Sequence, residues 1–237
     1  MSDNIKMVFL SGAGLNASLW DDVLPRLGRE TLTIDYPNRG AGGKPNEGLS
    51  FDEYIQKILR QVGPLDGQKI ILVAHSIGGV FINRLAAELG GRLLGVVAVG
   101  AVISGKGESF LSAFPWLQRT VTKIIINRFG TRPPDKEIRK GLCNDLPDEA
   151  AHKIVSGFTP ESASVYTSVM KEPVPDCPSL YIILENDKSL PVSLQKKAAG
   201  KLSQNETKSI DSGHLPMLSQ PGKLAEMIST FVRRMEK

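Results

Sequence analysis

Ile70-Ile71-Leu72-Val73-Ala74-His75-Ser76-Ile77-Gly78-Gly79 decides how the rest of this chain is read. Its first four residues form a continuous apolar, mostly β-branched run, the pattern of a strand buried on both faces of a parallel sheet. Val80 to Leu89 follows, with Val80, Phe81, Leu85 and Leu89 at helical spacing. Between strand and helix stands small–x–Ser–x–Gly, the pattern of a nucleophile elbow. The turn is so sharp that its Ser occupies strained backbone and the residues two places to either side must be small. Ala74 stands where Gly is commonest, and Gly78 holds the other place. Such a turn presents the Ser76 oxygen at the carboxyl ends of the strands, above a helix N-terminus. The dipole and the Ile77 N–H favour negative charge there. The plainer reading of Ser76 is a helix N-cap.

The residues before the elbow repeat the alternation. Met7 to Leu10 reads as a first strand ending in Ser11-Gly12-Ala13-Gly14, a small-residue loop whose backbone N–H groups can face a site. Acyl transfer needs a second N–H donor from this place. Trp20 to Leu27 has the apolar spacing of a short amphipathic helix, and Thr31 to Asp35 that of a second strand. Asp35 to Gly43 is a turn-rich loop in which Asp35 and Arg39 can pair as a brace. Phe51 to Val62 carries apolar residues at helical spacing, and Leu93 to Val99 reads as another buried strand. Strand and helix alternating in this way predict a parallel sheet with helices on both faces.

The alternation then breaks. Phe110–Ile126, Asp135–Cys143, Asp148–Phe158 and Ser162–Met170 are all helix-like and separated by prolines. They predict a helical lid over residues 104–175, inserted in a core formed by 1–103 and 176–237. Phe110, Phe114, Trp116, Leu117, Phe129 and Phe158 are candidate walls of a substrate pocket, with Gly12, Gly14 and Leu215 nearer the chemistry. Ser179 to Leu184 resumes the sheet, Glu206 to Ile210 supplies a last strand, and Gly222 to Arg234 a closing helix. The expected fold is α/β, a mostly parallel sheet of about six strands.

Ser76 needs a base, because a serine hydroxyl is a poor nucleophile at neutral pH. The chain has three histidines. His75 adjoins Ser76 and should point away from it, and His152 falls within a lid helix. His214 lies in a Gly-containing loop just past the last strand and is the candidate base. Asp187, just past Leu184, is the candidate acceptor that orients it, with Glu185 as the rival and Asp211 a poorer one. The order Ser, Asp, His is that of one serine-hydrolase fold and not of the others.

Composition narrows the class. The 237 residues are 41% apolar, enough for one large domain, and carry a net charge of +4 without a basic block or nucleic-acid motif. No signal-peptide region and no membrane-spanning run is apparent. Two cysteines, Cys143 and Cys177, lack metal spacing and read as reduced thiols rather than a disulfide. The expectation is a cytoplasmic monomer or homodimer with no metal, cofactor, nucleic-acid or membrane partner.

With these residues in hand, the sequence resembles the α/β-hydrolases, and within them the small lidded branch of plant methylesterases and hydroxynitrile lyases. Ser11-Gly12-Ala13 resembles that branch's His-Gly-x loop, and Ala74-His75-Ser76-Ile77-Gly78-Gly79 its Gly-His-Ser-x-Gly-Gly. Asp187-Lys188 with Gln195, and Gly213-His214-Leu215-Pro216-Met217-Leu218, resemble its acid and histidine segments. The resemblance implies Ser76 as nucleophile, His214 as base, Asp187 as orienting acid, and the N–H groups of Ala13 and Ile77 as the oxyanion hole. Ser11 and Ala74 depart from the pattern. The lyases resemble one another in a Thr and a Lys where this chain has Gly12 and Leu215. Ester hydrolysis of a small, largely apolar substrate, such as a methyl ester or lactone, is therefore the expected activity. A receptor-like binding protein, or a thioester or carbon–carbon hydrolase with the same residues, is the alternative. An epoxide hydrolase or dehalogenase would place Asp at the elbow.

Overall fold

The computed structural model describes residues 5–39, 46–65 and 67–236. The last residues of the glycine-rich loop after the second strand, 40–43, lie outside them, as does Asp66 in the turn before the elbow strand.

Six strands form one sheet: β1 (Ile5–Leu10), β2 (Thr31–Thr33), β3 (Lys69–His75), β4 (Leu93–Val99), β5 (Ser179–Leu184) and β6 (Asn205–Ile210). Their spatial order is β2-β1-β3-β4-β5-β6, and every neighbouring pair is parallel. The four inner strands read correctly from sequence because a parallel strand buried on both faces is a plain apolar run. Helices cover both faces. On one side lie α1 (Phe51–Val62), α2 (Ile82–Leu89) and α7 (Val192–Ala199), packed over Leu72, Ala74 and Val96. On the other lie α8 (Pro216–Ser219) and α9 (Pro221–Met235), with Leu19, Trp20 and Val23, over Phe9, Val73 and Val97. Helix α1 starts on a capping box, with Ser50 and Glu53 bonding each other's backbone N–H.

Three local readings change. The stretch Trp20–Leu27 is not one helix but two 3₁₀ turns, Ala17–Trp20 and Leu24–Arg26. Pro25 sits in the second, and a proline has no N–H to extend a helix. The second strand stops at Thr33. The elbow opens as a 3₁₀ turn, Ser76–Phe81, before α2 begins.

Between β4 and β5 the chain forms α3 (Trp116–Phe129), α4 (Asp135–Leu142), α5 (Asp148–Gly157) and α6 (Ala163–Thr167), with a 3₁₀ turn at Phe110–Ala113. Pro115 separates that turn from α3, so the expected helix from Phe110 starts later. Helix α3 buries Ile126 alone and leaves Leu117, Val121, Ile124, Ile125 and Phe129 exposed.

The topology positions a site. The chain leaves β1 for β2 on one side and crosses back to β3 on the other, so the loops after β1 and β3 diverge at their carboxyl ends. That crevice is where open α/β sheets place ligands. Leu10 is in register with Ala74, which brings the Ser11–Gly14 loop beside Ser76.

Candidate active site

Ser76 has φ +54, left-handed backbone that a side chain rarely adopts. The surrounding contacts hold it there. A Cβ on Gly78 would stand 2.9 Å from the carbonyl oxygens of Leu10 and Ser11, and one on Gly79 2.3 Å from that of Val102. The Val102 N–H in turn donates to the Ser76 carbonyl at 3.0 Å. Gly79 is therefore under a tighter limit than Gly78, the position the motif specifies.

The residues after β5 and β6 converge on this turn. His214 Nε2 lies 3.0 Å from Ser76 Oγ, and His214 Nδ1 lies 2.7 Å from Asp187 Oδ2. Facing a carboxylate, Nδ1 carries the proton, which leaves the Nε2 lone pair for the seryl O–H. Ser76 is partly exposed, whereas His214 and Asp187 are buried. Burial opposes the charge on Asp187, but His214 and the N–H groups of Leu190 and Ser189 outweigh it and hold the carboxyl below its usual range. Those N–H groups reach Oδ1, leaving Oδ2 for the histidine. Gln195, wholly buried, spans the Leu184 backbone and the Leu190 carbonyl, fixing the loop that carries Asp187. Glu185, the rival acid, is exposed and accepts the Ser209 hydroxyl. Asp211 accepts from Asn186.

His75 has a role that adjacency to Ser76 did not suggest. Its Nε2 lies 2.8 Å from the His214 carbonyl, to which it must donate, and the two rings lie 4.8 Å apart. Burial, reinforced by His214, pushes its pKa down to about 3, so the ring is neutral. It braces the histidine loop from beneath. Asp145, between α4 and α5, braces it from above, accepting the Gly213 N–H at 2.6 Å. A Cβ on Gly213 would collide with that carboxylate. His152 is exposed on α5.

Opposite Ser76 runs the Ser11–Gly14 loop. Ser11 Oγ accepts the Trp20 indole N–H, and its carbonyl accepts the Tyr36 hydroxyl. Gly12 packs against His75: a Cβ there would stand 2.9 Å from Nδ1. The Ala13 N–H has no acceptor among the described residues. The Ile77 N–H lies in the first turn of a helix, where backbone donors have no helical partner. Gly14, at φ +77, faces the Phe158 ring, which fills the space a Cβ would need.

Two features of the sequence reading change here. Arg39 does not brace its own loop through Asp35: its guanidinium pairs with Glu161, and Gln61 holds the Asp35 backbone. Of the expected pocket walls, Trp116 is 72% exposed and Leu215 is fully buried in the core. Phe110 packs between Phe114 and Tyr166. Phe114 lines a cleft of ≈ 490 Å³ with Ile103 and Leu190. A cleft of ≈ 530 Å³ runs between Gly14–Leu19 and α5. Phe158, expected as a pocket wall, packs against Gly14. Glu161 was not singled out from sequence as part of the site, because the partners of its side chain lie more than a hundred residues away.

A profile described as the alpha/beta hydrolase family matches residues 7–227. The chain belongs to the α/β-hydrolase family. Its relatives include plant methylesterases, the branch that the sequence resembles. Methyl jasmonate esterase 1 of Vitis vinifera is 24% identical over 95% of each chain. A pyrethroid hydrolase of Sphingobium wenxiniae is 22% identical over 95% of this chain and 86% of its own. Among solved structures, an extracellular α/β-hydrolase from a Paenibacillus species superposes with a TM-score of 0.84 at 19% identity, covering 95% of this chain and 98% of that one. Among the described residues no cluster of metal-ligating side chains occurs, and no helix is long and apolar enough to cross a membrane. Cys143 and Cys177 are free and buried, and burial pushes each thiol up to about 11.

Proposed function

We propose that this α/β-hydrolase is a cofactor-free serine hydrolase that cleaves a small, largely apolar carboxylic ester through an acyl-enzyme. The observation that carries the reading is the chain of contacts from Ser76 Oγ to His214 Nε2 at 3.0 Å and from His214 Nδ1 to Asp187 Oδ2 at 2.7 Å. Ser76 attacks the ester carbonyl while its proton passes to Nε2. Asp187 stays ionised and stabilises the imidazolium. The N–H groups of Ala13 and Ile77 receive the charge that develops on the carbonyl oxygen. His214 then protonates the departing alkoxide. Water, deprotonated by the same nitrogen, attacks the acyl group and restores Ser76 with release of the carboxylate. Residues 104–175 act as the lid.

The ester, rather than a cyanohydrin, follows from Gly12 and Leu215. A hydroxyl-bearing side chain at residue 12 would displace His75, and residue 215 lies in the core with no cation to offer a leaving cyanide. The relatives' names, a methyl jasmonate esterase and a pyrethroid hydrolase, point the same way. The test is p-nitrophenol release from short- and medium-chain esters, wild type beside Ser76→Ala, with fluorophosphonate labelling of both. Turnover and labelling that vanish together in the variant support the reading. A wild type that neither turns over an ester nor labels overturns it in favour of a binding protein.

A further inference from the structure

Glu161 sits in the connection between α5 and α6, on the inserted segment, with its side chain 1% exposed. Its two oxygens gather three partners from three other parts of the chain. Oε1 accepts the Gly14 N–H at 3.0 Å and the Arg39 guanidinium; Oε2 accepts the Tyr54 hydroxyl at 2.9 Å. Arg39, 4% exposed, also donates through Nε to the Leu15 carbonyl at 3.1 Å. Two residues before Glu161, the Thr159 N–H donates to the Gly14 carbonyl at 3.0 Å. Residues 158–161 thus hold Gly14 at its N–H, at its carbonyl and across its α-carbon.

An ion pair withdrawn this far from water is a poor source of stability, because desolvation offsets most of its attraction. What it does supply is position. The peptide that Glu161 grips is the one joining Ala13 to Gly14, and Ala13 carries the N–H assigned to the oxyanion. Rotating that peptide turns the Ala13 backbone with it. We propose that Glu161 is a positioning residue: through the Gly14 N–H it fixes the direction of the Ala13 donor, so that the inserted segment and the oxyanion hole are set as one unit. The proposal rests on the serine-hydrolase reading above. Arg39 shares Oε1 with the Gly14 N–H and so aims the Glu161 carboxyl, and Tyr54 shares the cluster without touching the loop.

A donor displaced by about 1 Å costs about 10²-fold in rate, close to the loss of a whole oxyanion donor. The experiment compares wild type, Glu161→Gln, Glu161→Asp and Tyr54→Phe on a p-nitrophenyl ester well below each melting temperature. Glu161→Asp keeps the charge toward Arg39 but falls one methylene short of Gly14, which makes it the safer folder. Both Glu161 variants are expected to lose kcat by about 10- to 100-fold, with KM within about threefold. Tyr54→Phe should lose stability yet keep kcat within about twofold. Rates that fall with the melting temperature alike in all three variants, or Glu161 variants with wild-type kcat, overturn the positioning role. Ser76 labelling of the wild type separates the two layers. An active, labelled wild type with indifferent Glu161 variants removes this inference alone; a wild type with neither property removes the hydrolase reading as well.

Discussion

Two parts of the inserted segment meet water in opposite ways. Helix α3 turns Leu117, Val121, Ile124, Ile125 and Phe129 outward, with Phe129 78% exposed, and touches the body through Ile126. Residues 158–161, some thirty positions on, bury a phenylalanine and a carboxylate against the loop beside Ser76. Hydropathy alone would have buried the α3 face and exposed Glu161. The difference lies in partners. Glu161 is buried because Arg39, Tyr54 and the Gly14 N–H satisfy it, and Phe158 because Gly14 leaves a space for its ring. An apolar side chain goes inside only where a complementary surface exists, and the described residues offer α3 little of one.

This contrast divides the chain into positions that govern rate, positions that govern stability and positions that govern neither. The largest expected effect is on rate alone. Ser76→Ala should lower kcat about 10⁶-fold, with the melting temperature almost unmoved. Asp187→Asn should cost about 10⁴-fold by leaving His214 in the wrong tautomer, and Glu185→Gln should stay within about twofold. Both are read from steady-state kinetics, and an inactive Glu185→Gln would transfer the orienting role.

Stability separates the two regions of the insert directly. Phe158→Ala should lose about 3–5 kcal/mol in urea denaturation, the cost of a buried ring and its cavity. Phe129→Ala, the same chemical change, should stay within about 0.5 kcal/mol. Equal losses would show that α3 is covered in solution and end the contrast.

The next effect is a slope. His75 has a folded pKa of about 3 against 6.5 for the free side chain. Between those values only the unfolded chain takes up the proton. Stability should therefore fall as pH drops from 6.5 toward 3, on the order of 1 kcal/mol per unit, and be unaffected above 6.5. His75→Gln should flatten that limb of a melting-temperature profile. The smallest effect belongs to the exposed helix face: Ile124→Ser should leave both kcat and stability within about 0.5 kcal/mol of wild type.

The frame was legible in the residues and its fastenings were not. Buried parallel strands announce themselves as apolar runs, and β3, β4 and β5 were read from Ile70–Val73, Leu93–Val99 and Ser179–Leu184 alone. The elbow could be read because a sharp turn restricts its own neighbours, so Ala74, Ser76 and Gly78 carry the information locally. Histidine scarcity then left His214 as the candidate. Trp20–Leu27 failed because 3₁₀ and α spacing overlap over one or two turns, with Pro25 the sole warning. The exposure of Trp116 was not legible, because hydrophobicity says that a side chain seeks cover but not whether it finds any. Glu161 gave no signal at all. Its partners are 107 to 147 residues away, and no spacing rule reaches that far.

The sheet also says how this molecule can and cannot join another. Its two outermost strands are ill suited to receive a neighbour. β2 has only three residues, and β6 is written Asn-Glu-Thr-Lys-Ser-Ile, with Glu206 tied to Lys208 and Arg234. A short border and a charged one both refuse strand addition. Six parallel strands with so much apolar surface would otherwise be a template for fibre growth. Any lasting association of this chain must therefore be made through helices and loops, and its aggregation, when it comes, should require unfolding first.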